Sequence, residues 1–241
     1  ESFEAEAGPR LTLAELLEAA PAGCPTRVTG GVRDGEARTD LGDRPLMVFS
    51  HCINCGRYAS FSLAERLASH GMIVLAADHA GPLPFAEGAV GESLESEQLD
   101  VRAADVSALI DAAVGGAHLA LSGVLAGLTV DPDRIGAYGH SFGSVTTGRA
   151  TQDDERIRAA AGLAAPMASL FFPSVSMADI TVPVLFVLAE EDNSIMEIGN
   201  GFLRDNVADA NPPVWLASIA DAGHWSVSDI CGLTDSFDAG C

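Results

Sequence analysis

The chain has 241 residues and a formal net charge of −21, with thirteen arginines and no lysine. Such a surface repels nucleic-acid phosphates and anionic lipid, which argues against both as partners. No stretch approaches the roughly 18 continuous apolar residues of a membrane span, and the length and 48% hydrophobic content suit a single folded domain with a substantial core.

The first residues, ESFEAEAGP, contain neither a basic nor an apolar leader region, so a signal peptide is read as absent or already removed. Five cysteines are present: Cys24, Cys52, Cys55, Cys231 and Cys241. Cys231 and Cys241 bracket a short loop and form the pair expected of an exported protein, which makes a secreted or periplasmic location the expectation. Cys52 and Cys55 form a C-x-x-C with no second pair at zinc spacing, so no metal site is expected there.

Residues 1–45 form a poorly defined N-terminal segment. Within it, 11–20 (LTLAELLEAA) has helical spacing and a capping pattern at Thr12 and Glu15, and 21–43 holds a weak hairpin at most. Leu46 to Ser50 is a continuous apolar run, the mark of a buried parallel strand, and it ends in the turn His51 to Gly56. A helix follows from about Ala59 to Ser69, closed by Gly71, and a second buried strand runs from Met72 to Ala77. Residues 80–98 are rich in Gly, Pro and Glu and read as a loop near the mouth of a site.

Leu99 to Val114 reads as a helix, with a further helical piece over 118–128, and Asp131-Pro132-Asp133 as a turn leading into a strand. That strand ends in Gly139-His140-Ser141-Phe142-Gly143, followed by a helix-compatible segment to Ala150. Ile157 to Ala164 and Pro183 to Ala189 are further strands, Ile195 to Val207 a helix, and Val214 to Ile219 the last strand. Strands alternating with helices predict an α/β fold with a mainly parallel central sheet and helices on both faces.

The Gly139–Gly143 run is a G-x-S-x-G pattern in a strand–turn–helix context, where a serine stands exposed at the tip of a sharp turn. A serine hydroxyl is a weak nucleophile and needs an adjacent base held by a carboxylate. Asp192 and His224 follow Ser141 in the order this architecture uses, each just after a strand. Glu190 and Glu191 compete with Asp192. His51, His79 and His140 compete with His224, but the first two precede the nucleophile and His140 adjoins it. The Phe142 N–H is the first expected oxyanion donor, and the Ile53 N–H the second, with the Cys52 N–H as its alternative. The chemistry is two-step acyl transfer and requires no cofactor.

The segments PLMVFSH (45–51), LAERLASHGMIVLAADH (63–79), DPDRIGAYGHSFG (131–143), ITVPVLFVLAEED (180–192) and AGHW (222–225) resemble the α/β-hydrolase superfamily. Within it, the chain is most similar to the bacterial cutinase and polyester-hydrolase, platelet-activating-factor-acetylhydrolase-like and dienelactone-hydrolase-like group. The resemblance implies a catalytic triad of Ser141, Asp192 and His224 with oxyanion residues Ile53 and Phe142. It implies a small-molecule or polymeric ester substrate contacted by Cys52, Met167 and Trp225. Cys52 and Cys55 stand where such proteins carry glycines, and Ile53 and Met167 where cutinase-like members carry aromatics; Phe171, Phe172 and Trp225 are left to clamp a substrate. The family's N-terminal strands and final helix have no recognisable counterpart. The expected function is a serine carboxylesterase for small or medium acyl esters, extending to polyesters. The alternatives are a lipid acetylhydrolase or lactone hydrolase on the same triad, or a non-catalytic binding protein on the same scaffold.

Overall fold

The apolar runs after Pro45, Gly71 and Pro183 carry side chains for two buried faces, which a parallel sheet must cover with helices. The computed structural model describes residues 35–79, 94–114 and 125–230. The expected 11–20 helix, most of the 21–43 and 118–128 segments, most of the 80–98 loop and the Cys231–Cys241 pair lie outside them.

Among the described residues six strands form the sheet: β1 (Arg44–Ser50), β2 (Ile73–Ala76), β3 (Val130–His140), β4 (Ile157–Leu163), β5 (Val184–Ala189) and β6 (Val214–Ile219). Their order is β2-β1-β3-β4-β5-β6, and every neighbouring pair is parallel. Among the described residues four α-helices connect them: α1 (Phe61–Ser69), α2 (Ser96–Val114), α3 (Phe142–Asp153) and α4 (Met196–Asp209). Several boundaries shift by one to three residues from expectation, and two of the differences bear on the expected loop and turn. Helix α2 begins at Ser96, inside the expected loop, and β3 begins at Val130, upstream of the Asp131–Asp133 turn. There Arg44 pairs with Val130 and the ladder slips before Leu46, while the Asp133 N–H donates to the Asp131 carboxylate at 3.0 Å. The turn chemistry is present, but as an irregularity within the strand.

The period-2 alternation of the strands builds two core layers. On one face Leu46, Val48, Ile135 and Ala137 pack on Ala103, Val106 and Ile110 of α2 and Ala150 of α3. Val184, Phe186 and Leu188 continue that layer against Val145 of α3 and Leu203 of α4. On the other face Met47, Phe49, Tyr138 and Leu163 meet Leu63 and Leu67 of α1 and Ile230. Each large apolar side chain fully buried in this way contributes roughly 1.5–3 kcal/mol. Because all strands are parallel, their carboxyl ends share one edge, and the segments holding His51, Ser141, Asp192 and His224 all leave from it.

Candidate active site

Ser141 joins β3 to α3 with φ 57° and ψ −124°, a left-handed conformation that costs a non-glycine residue roughly 1–3 kcal/mol. The surroundings enforce it. A Cβ on Gly139 would collide with the Gly143 carbonyl, and one on Gly143 with the Ser50 carbonyl at the end of β1. The Ser141 N–H donates to the Leu163 carbonyl at 3.0 Å, tying the turn to β4. Helix α3 is buried despite its polar sequence, because Thr146, Thr147 and Thr151 return their hydroxyls to the carbonyls four residues earlier at 3.0, 2.8 and 2.7 Å.

His224 Nε2 lies 2.8 Å from Ser141 Oγ, and its Nδ1 lies 2.6 Å from Asp192 Oδ2. With Nδ1–H donated to the carboxylate, Nε2 is free to accept the serine proton, the tautomer a general base needs. The other Asp192 oxygen accepts the N–H groups of Ser194 and Ile195, both at 2.9 Å. Burial alone would raise the Asp192 carboxyl, but the His224 hydrogen bond and charge and the two backbone donors outweigh it and leave it below the usual value. Glu190 and Glu191 are exposed, and Glu190 is engaged by the Ser218 hydroxyl. His140 sits beneath the base and donates Nε2–H to the His224 carbonyl at 2.8 Å. Burial, then the neighbouring His224, pushes His140 down to about 3, so it is neutral and structural. Trp225 stands edge-on to His224, with ring centres 4.6 Å apart.

The N–H groups of Ile53 and Phe142 meet no protein acceptor among the described residues, which leaves both to receive an oxyanion. The turn carrying Ile53 is closed by a disulfide between Cys52 and Cys55. The Cys52 carbonyl accepts the Cys55 N–H at 3.2 Å and His51 Nδ1–H at 2.7 Å. Two of the three residues expected to contact substrate present no surface for it: Cys52 is buried in the disulfide, and Met167 packs in the core beside Val175 and Phe172. Trp225 remains partly exposed at the triad. Phe172 is also buried, its ring 5.3 Å from that of Phe142, whereas Phe171 is 69% exposed.

Sequence reasoning missed Arg102. It is fully buried, donates to the His51 carbonyl, and places its guanidinium 4.8 Å from the centre of the Phe142 ring. The signal was there: on α2 it occupies the apolar stripe defined by Leu99, Ala103, Val106 and Ile110. Of an exposed apolar lip on the segments that follow β4 and β5, sequence reasoning named Phe171 alone. Leu170, Phe171, Met196 and Ile198 are 83%, 69%, 59% and 58% exposed, and Phe171 meets Phe202 of α4 edge-on at 5.9 Å. Among the described residues no group of three or more His, Cys, Asp or Glu is placed to hold a metal ion, and no helix is long and apolar enough to cross a membrane.

A doubly covered parallel sheet with a nucleophile elbow and a hydrogen-bonded Ser-His-Asp set at its carboxyl edge defines the α/β-hydrolase fold with a serine-hydrolase triad. The chain belongs to the dienelactone hydrolase family, whose model matches residues 55–228. Among solved structures, a ferulic acid esterase from Streptomyces cinnamoneus is similar in fold, with a TM-score of 0.60 and 24% identity over 79% of this chain and 55% of that one. This chain therefore spans little more than half the length of that esterase. No curated protein matches it.

Proposed function

We propose that the protein is a serine carboxylic-ester hydrolase. The observation that carries this reading is the unbroken hydrogen-bond chain from Asp192 through His224 to a serine held in a strained, glycine-flanked turn. Ser141 Oγ attacks the ester carbonyl as His224 Nε2 takes its proton. The carbonyl oxygen gains negative charge and receives the N–H groups of Phe142 and Ile53. His224 then gives the proton to the departing alkoxide, leaving an acyl-Ser141 ester. Water attacks that ester by the same route in reverse and frees the acid. Asp192 remains a carboxylate throughout and stabilises the imidazolium.

A fluorophosphonate should label Ser141 stoichiometrically, and Ser141→Ala should abolish both labelling and ester turnover while the protein stays folded. Folded protein that resists the label would sink the reading.

For the substrate we favour acyl esters of small or medium size, extending to polyester chains. The exposed lip of Leu170, Phe171, Met196 and Ile198 supports this, because it offers apolar surface on segments that follow the carboxyl ends of β4 and β5, on a protein of net charge −21. It also suits the acetyl ester of an aggregated lipid. A panel of short p-nitrophenyl esters, a lactone, a phenolic-acid ester, a phospholipid acetyl ester and polyester film separates these. Phe171→Ser with Ile198→Asn should reduce hydrolysis of film or aggregate several-fold and leave a soluble ester unchanged; equal loss on both would remove the lip from the account. We also infer export from the cytoplasm, supported by the Cys52–Cys55 disulfide. Fractionation of the native host with activity staining tests it.

A further inference from the structure

A second Ser-His-Asp hydrogen-bond chain runs under the turn that carries Ile53. His79 Nδ1 is 2.9 Å from Asp105 Oδ2, and His79 Nε2 is 2.8 Å from Ser50 Oγ. Ser50 is the last residue of β1 and is fully buried, so it is no second nucleophile. The chain instead connects α2 and the end of β2 to the start of the turn.

The partners fix where the protons lie. Asp105 accepts, so His79 carries its hydrogen on Nδ1. Arg102 Nη2 points its N–H at Ser50 Oγ from 3.4 Å, which leaves the Ser50 hydroxyl proton for His79 Nε2. The backbone N–H of His79 donates to His51 Nε2 at 3.1 Å. That bond commits His51 to carry its own hydrogen on Nδ1, from which it donates to the Cys52 carbonyl at 2.7 Å. Burial, then the charges of Arg102 and His79, holds His51 well below the usual imidazole range, so Nε2 stays an acceptor.

The Cys52 carbonyl and the Ile53 N–H belong to one rigid trans peptide and point in opposite directions. Anchoring the carbonyl therefore aims the N–H, and a hydrogen bond to the oxygen polarises the N–H at the far side. A peptide free to rotate would turn its oxygen toward the developing negative charge.

We propose that Asp105 and His79 are positioning residues for ester hydrolysis: through His51 they hold the Cys52–Ile53 peptide with its N–H facing the oxyanion. The proposal rests on the hydrolase reading above. It places part of the catalytic apparatus on α2, in a residue that touches neither substrate nor triad.

The test compares wild type, Asp105→Ala, Asp105→Asn and His79→Gln on p-nitrophenyl butyrate, with a trifluoromethyl ketone as a probe whose tetrahedral Ser141 adduct carries an oxyanion. Asp105 is 34% exposed, so truncating it opens no sealed cavity, and thermal unfolding checks each variant. Deleting an oxyanion donor outright costs about 100-fold or more in kcat, so loosening one should cost roughly tenfold. Asp105→Ala and His79→Gln should lower kcat by about that factor, leave KM within twofold, and weaken the ketone in proportion to kcat/KM. Asp105→Asn, which keeps an acceptor for Nδ1–H, should recover most of the loss. If Asp105→Ala does not fold, His79→Gln decides by the same loss of kcat, with Asp105→Asn expected to stay close to wild type. Wild-type kcat in folded Asp105→Ala and His79→Gln, a change confined to KM, or no gain from Asn over Ala would each overturn the proposal alone. A folded wild type without turnover would overturn the hydrolase reading and this inference with it.

Discussion

The guanidinium of Arg102 lies 4.8 Å from the centre of the Phe142 ring and hydrogen-bonds the His51 carbonyl, so one buried cation touches both segments that flank the oxyanion position. Arg102→Met keeps the length and removes the donor. We expect kcat to fall about tenfold and stability by roughly 1–3 kcal/mol, because the buried carbonyl loses a partner. Arg102→Lys should recover little, since a single ammonium cannot serve a carbonyl and lie flat over a ring. Steady-state kinetics with urea unfolding measures both.

Ser141 occupies its left-handed conformation without the freedom of a glycine. Ser141→Gly should therefore abolish turnover yet raise stability by about 1 kcal/mol, the relieved strain exceeding the added chain entropy. Ser141→Ala, which keeps the Cβ, should be inactive without that gain. Calorimetry of the three proteins shows whether the nucleophile's backbone is held against its own preference.

The disulfide closes a ring over a sequence separation of 3. Loop-closure entropy for so short a ring amounts to about 2 kcal/mol. The paired Cys52→Ala and Cys55→Ala substitution should lower Tm accordingly and reduce kcat more than it alters KM, since Ile53 lies inside the ring. An unchanged kcat would show that hydrogen bonds alone hold the turn.

Acid should weaken the fold through His140. Its folded pKa of about 3 lies below the ordinary value of 6.5, so between those limits the unfolded chain binds a proton that the native protein refuses. Stability then rises with pH across that window and falls as pH drops from 6.5 toward 3, by on the order of 1 kcal/mol per pH unit. His51, also depressed, adds a slope of the same sign. His140→Gln keeps a donor for the His224 carbonyl and removes the titration, so its Tm should fall less steeply than wild type between pH 6.5 and 4.

Most of the strands were legible because their buried parts are short apolar runs, as in β1 after Pro45, β2 after Gly71 and β5 after Pro183. The triad was legible because Ser141, Asp192 and His224 each follow such a run. What escaped is what depends on neighbours distant in sequence. The C-x-x-C spacing of Cys52 and Cys55 is shared by metal, redox and structural pairs, and only the curvature of the turn brings the sulfurs together. Met167 follows Pro166 as a substrate contact would, but Asn206 of α4 takes its backbone N–H at 2.8 Å and the side chain turns into the core. Arg102 looked like one more charge on a helix, because only its place on the apolar stripe of Leu99, Ala103, Val106 and Ile110 marks the position as inward-facing. His79 and Asp105 meet across a chain separation that no periodicity encodes.

The triad draws on β3, β5 and β6, and the turn bearing Ile53 on β1, so no shorter run of the chain can assemble it. Reactivity is thus a property of the finished sheet. During refolding from urea, helical signal from α2 and α3 can return through local contacts, whereas Ser141 should stay inert until β6 docks and delivers His224. The delay between the two makes a covalent serine reagent a stopwatch for the last strand.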